Sequence, residues 1–288
     1  MKKALLTMIV AFSVLTVAAC DVTEEGEYRP GLHLGYSEGD QPALAYIHVD
    51  ADGFIRDAII DSVYEDDETI VTKRHFNGGE DYGMSGSGDY LWVEQVDMLA
   101  RYVVETQGMF DYELDEGRLV DPADAVSGVT VRVSNYVTAL ENALGRARLA
   151  EGESPADFDV PAFAGDGAYT SGILFGTSLA DDGSYDYAVV AVNESGHIEH
   201  IKIDSGYRGN DDVVTKRTLN HGLDYIMSED DDYLWVEQVD MLAADIVANQ
   251  GEIDYDLDNG RLTDAADAVS GVTVRVQNYL DAVADALD

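Results

Sequence analysis

The sequence predicts an α+β chain of two tandem homologous domains, each an antiparallel sheet with packed helices. Three observations predict it. A long internal repeat doubles one domain-sized unit. Each copy opens with runs of β character, and each closes with two segments of helical apolar spacing. Tyr90 to Ala100 recurs letter for letter as Tyr233 to Ala243, and Asp124 to Val133 recurs as Asp267 to Val276, both offset by 143 residues. Thr72-Lys73-Arg74 and Asp61-Ser62 keep that offset to Thr215-Lys216-Arg217 and Asp204-Ser205. Near the start the offset is 141, where Gly26, Tyr28 and Gly31 match Gly167, Tyr169 and Gly172. The change places a two-residue insertion in the first hairpin of the second copy.

The elements follow in chain order. Residues 1–20 have the build of a signal peptide: Met1-Lys2-Lys3 is basic, and Ala4 to Ala19 is apolar apart from Thr7, Ser13 and Thr16. That stretch suits a signal core better than a membrane span. It ends at Val17-Ala18-Ala19-Cys20, which resembles a bacterial lipoprotein signal whose cysteine is lipidated and becomes the new N-terminus. The resemblance implies a lipid on Cys20 and an extracytoplasmic site of action at the cell membrane. Residues 21–25 form an acidic tether, and residues 26–144 the first domain. There, Ala45 to Val49 and Phe54 to Val63 flank a polar turn at Asp50 to Gly53, giving a hairpin. Leu91, Val96, Leu99, Val103 and Val104 have the spacing of one helix, and Val133, Val137, Leu140 and Leu144 that of a second. Residues 145–165 carry Gly, Pro, Ser and acidic side chains without sustained periodicity and read as a linker. Residues 166–288 repeat the domain.

Charge bounds the function. Of 288 residues, 57 are acidic and 17 basic, a net charge of −40. Such a surface repels phosphate backbones and anionic headgroups, which disfavours nucleic acid and a polybasic membrane footprint as partners. A single cysteine excludes an internal disulfide framework, iron–sulfur clusters and cysteine-rich zinc sites. Asp50 to Gly53 resembles half a calcium loop but lacks the other ligands, so a hairpin turn is the better reading. His197 and His200 fall in an apparent strand where the first copy has Phe54 and Asp57, and are not assigned to a metal. Glu65 to Glu68 and Glu229 to Asp232 read as solvated loops.

The repeated Ser127-Gly128-Val129-Thr130 segment lies where an extended or turn stretch gives way to the second helix. Glycine permits close approach of a ligand, and helix N-terminal amides favour an anion, so a threonine hydroxyl there suits a bound phosphate. An ordinary helix N-cap is the alternative.

Asp124 to Thr130 and Asp267 to Thr273 resemble the flavinylation motif of the FMN-binding domain family. That family includes the flavin-carrying subunits of sodium-translocating NADH:quinone reductase and of the Rnf complex. In it, FMN is joined through its phosphate to the final threonine by a Mg²⁺-dependent flavin transferase. The Gly-x-Tyr-x-x-Gly start and the Thr-Lys-Arg, Asp-Tyr-x-Met and Trp-x-Glu-Gln runs are also similar to two-domain flavinylated lipoproteins of Gram-positive extracellular electron transfer. The resemblance covers nearly all of both copies.

It implies FMN attachment at Thr130 and Thr273, with Asp124 and Asp267 in the sequence the transferase reads. It implies that Ser127, Gly128, Ser270 and Gly271 shape the turn presenting the hydroxyl. It puts isoalloxazine contacts in the loops containing Asp81, Tyr82 and Met84, and Asp224, Tyr225 and Met227. Core packing is an equal reading for the two methionines. Gly83 is replaced by Ile226, so the two sites are expected to differ in shape. Val129 and Val272 depart from the usual alanine, and their bulk beside the acceptor implies slower modification. Lys73, Arg74, Arg118 and Arg132 recur as Lys216, Arg217, Arg261 and Arg275. Arg132 and Arg275 are assigned to the phosphodiester, and structural ion pairing with the surplus of carboxylates, worth little where exposed, is the alternative for all of these cations.

The expected function is a membrane-anchored electron carrier with two covalent FMN groups, not an enzyme. Its expected partners are the membrane through the Cys20 lipid, a flavin transferase, and a membrane electron donor such as a quinone-linked dehydrogenase. The alternative is a non-redox ligand- or partner-binding surface lipoprotein without flavin. A reductase acting on a small acceptor is a third possibility, but neither copy offers a candidate acid–base pair.

Overall fold

A computed structural model of the chain describes residues 25–39, 41–83, 89–109, 112–120, 126–209, 212–225, 227, 233–263, 269 and 271–288. Cys20 and the leader, Met84, Asp124, Asp267 and Ser270 lie outside the described residues. The fold is mixed α+β with antiparallel sheets. In the first half, β1 (Gly31–Tyr36), β2 (Ala43–Val49), β3 (Ile55–Asp66) and β4 (Thr69–Thr72) form one sheet in sequential order. Then come α1 (Trp92–Glu105), a small hairpin of β5 (Glu113–Asp115) and β6 (Arg118–Val120), and α2 (Ser134–Ala147). The second half repeats this order. Its sheet is β7 (Gly172–Leu179), β8 (Tyr185–Val192), β9 (Ile198–Gly209) and β10 (Asp212–Thr215). After it come α3 (Trp235–Ala248), β11 (Leu257–Asp258), β12 (Arg261–Leu262) and α4 (Gln277–Leu287). Among the described residues no helix is long and apolar enough to cross a membrane.

Local chemistry sets these elements. Asp50 Oδ1 accepts from the amides of Asp52 and Phe54, which closes the turn between β2 and β3, as expected for a hairpin rather than a metal loop. The first hairpin pairs Gly31 with Val49, and its counterpart pairs Gly172 with Val192, so the second is longer by the two inserted residues. Each first helix starts with a glutamate reaching back to an otherwise unmet amide. Glu94 accepts from Leu91 N at 2.6 Å, and Glu237 from Leu234 N at 2.7 Å. Val96, Leu99 and Val103 are buried, whereas Leu91 is the exposed residue before the helix. α2 runs to Ala147, three residues into the expected linker, and Arg148 then bridges back to Tyr28. Gly35 sits where a Cβ would come within 2.2 Å of the α2 backbone, and this glycine lets helix and sheet close on each other.

Every residue of β2 and β8 is buried, although alternate side chains point to opposite faces. Ala43, Ala45, Ile47 and Val49 face α1 and α2 in one core. Leu44 and Tyr46 instead join Leu32, Leu34, Ile59 and Val63 in a core shared with Tyr185, Tyr187, Val189 and Ala191 of the second half. The two sheets thus cover each other, giving the order helices, sheet, sheet, helices. Polar contacts lock this seam. Tyr46 Oη lies 3.0 Å from Tyr187 Oη, which donates to Asp204 Oδ2 at 2.8 Å. Thr72 Oγ1 is 2.9 Å from Tyr185 Oη, and Asp57 Oδ2 accepts from Ile173 N at 2.7 Å. The repeat alone did not reveal this shared core.

The chain has two tryptophans, Trp92 in the first half and Trp235 in the second, so single Trp→Phe variants report on each half separately. The shared core predicts coincident urea transitions for the two reporters. Tyr187→Phe should lower both by about 1–3 kcal/mol, the scale of a buried hydrogen bond left half-made. Separate transitions, or a shift confined to Trp235, would contradict the seam.

Candidate functional site

Gln95 lies in the first turn of α1 with no solvent exposure. Its Nε2 donates to Tyr90 O at 3.0 Å. Its Oε1 accepts three hydrogen bonds, from Thr130 N at 2.7 Å, Thr130 Oγ1 at 3.2 Å and Val131 N at 3.0 Å. Gln238 repeats the set with Tyr233 O, Thr273 N, Thr273 Oγ1 and Val274 N at 3.1, 2.7, 3.2 and 3.0 Å. Because backbone amides only donate, they fix which end of the carboxamide faces them. Each threonine is therefore pinned through its own amide and the next, while its side chain stays exposed.

This geometry corrects both local readings of the motif. α2 and α4 begin at Ser134 and Gln277, with Val133 and Val276 as their N-caps and no side-chain cap. Thr130 and Thr273 precede those caps by three residues, and their amides are spent on glutamine. They are neither N-caps nor part of a helix-terminal anion site. Val129 and Val272 are buried in the helix-side cores, so their bulk points away from the acceptor hydroxyl. Gly128 and Gly271 are required by close approach: a Cβ would lie 2.8 Å from the ring of Tyr90 or Tyr233.

An aromatic and cationic wall stands beside each threonine. In the second half Lys216, Tyr225, Met227, Trp235, Arg261, Thr273, Arg275 and Tyr279 line one cleft of about 270 Å³. A neighbouring cleft of about 500 Å³ shares Lys216, Arg275 and Tyr279. Trp235 Nε1 donates to Tyr279 Oη at 2.9 Å, and the Lys216 ammonium lies 4.8 Å from the Tyr225 ring centre and 5.0 Å from that of Trp235. The matching residues of the first half keep these contacts. Trp92 donates to Tyr136 at 2.8 Å, and Lys73 lies 4.7 Å from the ring centre of Tyr82 and 5.2 Å from that of Trp92. Arg118 donates to Thr130 O. Burial pulls the Lys73 ammonium down to about 8, against the opposing pull of Asp61. Burial likewise pushes the Tyr136 and Tyr279 hydroxyls up to about 12.

The six cations Lys73, Arg118, Arg132, Lys216, Arg261 and Arg275 form no ion pair with a carboxylate among the described residues. By contrast, Arg74 and Arg217 are buried and paired with Asp97 and Asp240, the structural alternative raised for the repeated cations. Leaving cations unpaired on a chain of net charge −40 suits them to an anion that is not part of the fold.

The sequence-predicted residues divide accordingly. Thr273, Tyr225, Met227 and Arg275 meet in one cleft. Thr130, Gly128 and Tyr82 take the corresponding places, and Arg132 and Ser127 are exposed nearby. Asp81 is exposed, and Asp224 is exposed and accepts from Asn220, away from the cleft lining. Sequence reasoning gave no role to Gln95, Gln238, Trp92, Trp235, Tyr136 and Tyr279. Their signal was present, since all six recur at the offset of 143.

No family model and no curated protein matches the chain. A solution NMR structure of a Clostridium thermocellum protein, determined by a structural genomics consortium, is similar at 23% identity over 41% of this chain and 89% of its own. Its TM-score is 0.29, too low to bear on fold or function.

Lys73 generates a pH test. Folded, it loses its proton near pH 8, while an unperturbed lysine does so at 10.5. Between those values the unfolded chain holds the extra proton, so stability rises with pH. From pH 8 to 10 the wild type should gain about 2–3 kcal/mol relative to Lys73→Met in urea unfolding. A flat difference would contradict a desolvated ammonium at this wall.

Proposed function

We propose that this chain is a lipid-anchored, extracytoplasmic electron carrier of two tandem FMN-binding domains. FMN is joined through its phosphate to Thr130 and Thr273. The observation that carries this reading is the repeated pairing of an exposed threonine, its hydroxyl bonded to a buried glutamine, with cations that form no ion pair with a described carboxylate. The motif resemblance chooses flavin from among phosphate-bearing groups. In the second half the cleft of about 500 Å³ lies within the ~300–1,000 Å³ typical of small-molecule sites, and it adjoins the smaller cleft of about 270 Å³ at Thr273.

When bound, FMN would supply one- and two-electron redox chemistry. The chain's own part is positioning and electrostatics. Gln95 and Gln238 hold the acceptor backbone through two amide hydrogen bonds that survive esterification, since only the Oγ1 proton is lost. Arg261 and Arg275, with Arg118 and Arg132 in the first half, lie where a phosphodiester would need positive charge. Tyr225, Trp235 and Met227 offer an aromatic and polarizable wall to a planar ring. Among the described residues no carboxylate or histidine contacts either threonine hydroxyl, and in this reading the transferase activates the hydroxyl with the chain as its substrate. Anchoring rests on Val17 to Cys20, and a quinone-linked dehydrogenase of the membrane is the proposed donor.

Co-expression with an extracytoplasmic flavin transferase tests this. In-gel flavin fluorescence after denaturation should halve in Thr130→Ala, halve in Thr273→Ala and vanish in the double variant. Gln95→Leu should lower labelling at Thr130 alone. A wild type without fluorescence, beside a transferase shown active on a control domain, would overturn the proposal. It would leave a ligand- or partner-binding lipoprotein.

A further inference from the structure

The His197 and His200 pair has a different fate from the one its spacing suggests. His197 is engaged elsewhere, with Nδ1 3.1 Å from Gln250 Oε1 and Nε2 2.9 Å from Gly165 O. His200 on β9 instead meets two side chains across and beside the seam. His48 projects from β2 of the first half, on the same face as Leu44 and Tyr46. Its Nε2 lies 3.0 Å from Glu199 Oε2, and Glu199 Oε1 accepts from Asn193 at 2.9 Å. The His48 and His200 rings are 6.1 Å apart and inclined at 66°. One donor atom from each of His48, Glu199 and His200 lies within 4.8 Å of the other two.

Two nitrogens of this cluster are unmet. His48 Nδ1 and His200 Nε2 are buried and have no hydrogen-bond partner among the described residues. His48 is 2% exposed, so solvent does not satisfy it. Orphaned buried polar atoms are costly and uncommon in native structures. A bound cation can meet the lone pair of His200 Nε2, while His48 already turns Nε2 to the Glu199 carboxylate and has that nitrogen to offer the same ion.

The donor set decides which cation. Two imidazoles and one carboxylate suit zinc and its neighbours among divalent transition ions, whereas calcium and magnesium prefer all-oxygen shells. We propose that His48, Glu199 and His200 bind one divalent transition-metal ion of the zinc type, joining the two halves across the seam. Metal bonds of ~2.0–2.2 Å place tetrahedral donors roughly 3.3 Å apart, so closure from the present spacing is a matter of side-chain adjustment. Access exists from both sides. One cleft of about 560 Å³ is lined by Glu199 and His200, and another of about 520 Å³ by His48 and Glu199.

Among the described residues the cluster occurs once. At the offset of 143 the equivalent residues are Ala191, Arg56 and Asp57. The first cannot ligate, the second is a cation, and Asp57 is held by Ile173 N.

The test uses the full-length chain without an affinity tag, stripped of metal and titrated with Co²⁺. Wild type should bind one equivalent with the intense visible absorption of low-coordinate cobalt, and Zn²⁺ should displace it. Zn²⁺ at a hundredfold excess over Kd should raise Tm by roughly 5 °C. His200→Ala should lose the equivalent, and its melting temperature, whatever its metal-free value, should no longer rise with Zn²⁺. His48→Gln should lose the equivalent as well. Weak multi-site binding with only the faint spectrum of six-oxygen cobalt would show the acidic surface alone and overturn the site. Unchanged tight binding in His200→Ala would overturn it too.

Discussion

Each four-stranded sheet of this protein has two apolar faces, and its own helices cover only one. That constraint shapes the rest of the structure. β2 and β8 are buried along their whole length, so neither half could stand alone without exposing a row of leucine, valine and tyrosine side chains. Stacking the two sheets removes that surface from water and converts a duplicated sequence into one packed body. Polar groups within the seam then have to be satisfied by partners from both halves. Tyr46, Tyr187 and Asp204 meet that demand in one place, and Asp57 with Ile173 N in another.

With one sheet face committed to the seam, the helices form the outer layers, and the candidate sites are built on them. α1 and α3 each begin with a tryptophan and carry a glutamine three residues later, and that glutamine reaches the loop entering the last helix. The carboxamide joins two segments that are 35 residues apart and holds an exposed threonine by its amide and its hydroxyl. Buried arginine pairs hold the same region from beneath. Arg217 Nε donates to Ile203 O at 2.6 Å while its Nη2 reaches Asp240, tying β9 to α3. Such an arginine needs both partners, because an uncompensated buried charge is strongly destabilising. The cations nearer the threonines have no such partners among the described residues, which separates fold from site within one cluster of positive charge.

Much of this was legible in the sequence. The Tyr90 to Ala100 repeat marked α1, the Asp124 to Val133 repeat the stretch leading into α2, and apolar spacing placed both helices within a few residues. The turn at Asp50 and the longer second hairpin were also readable. The seam was not, because a strand covered on both faces gives an unbroken apolar run, and composition does not say what covers it. Thr130 looked like a helix cap because the chain enters a helix soon after it. Only the burial of Gln95 shows where its amide goes. The His48 cluster was hidden for a different reason: attention to matched positions passes over residues that one copy has and the other lacks.

The central claim is that the two glutamine-held threonines are covalent flavin acceptors. Its most direct test is peptide mapping by tandem mass spectrometry of the protein recovered from membranes of the cells that make it. The account predicts FMN, linked through phosphate, on the two peptides that contain Thr130 and Thr273, and on no others. Unmodified threonines in both peptides, or flavin attached at another residue, would contradict it.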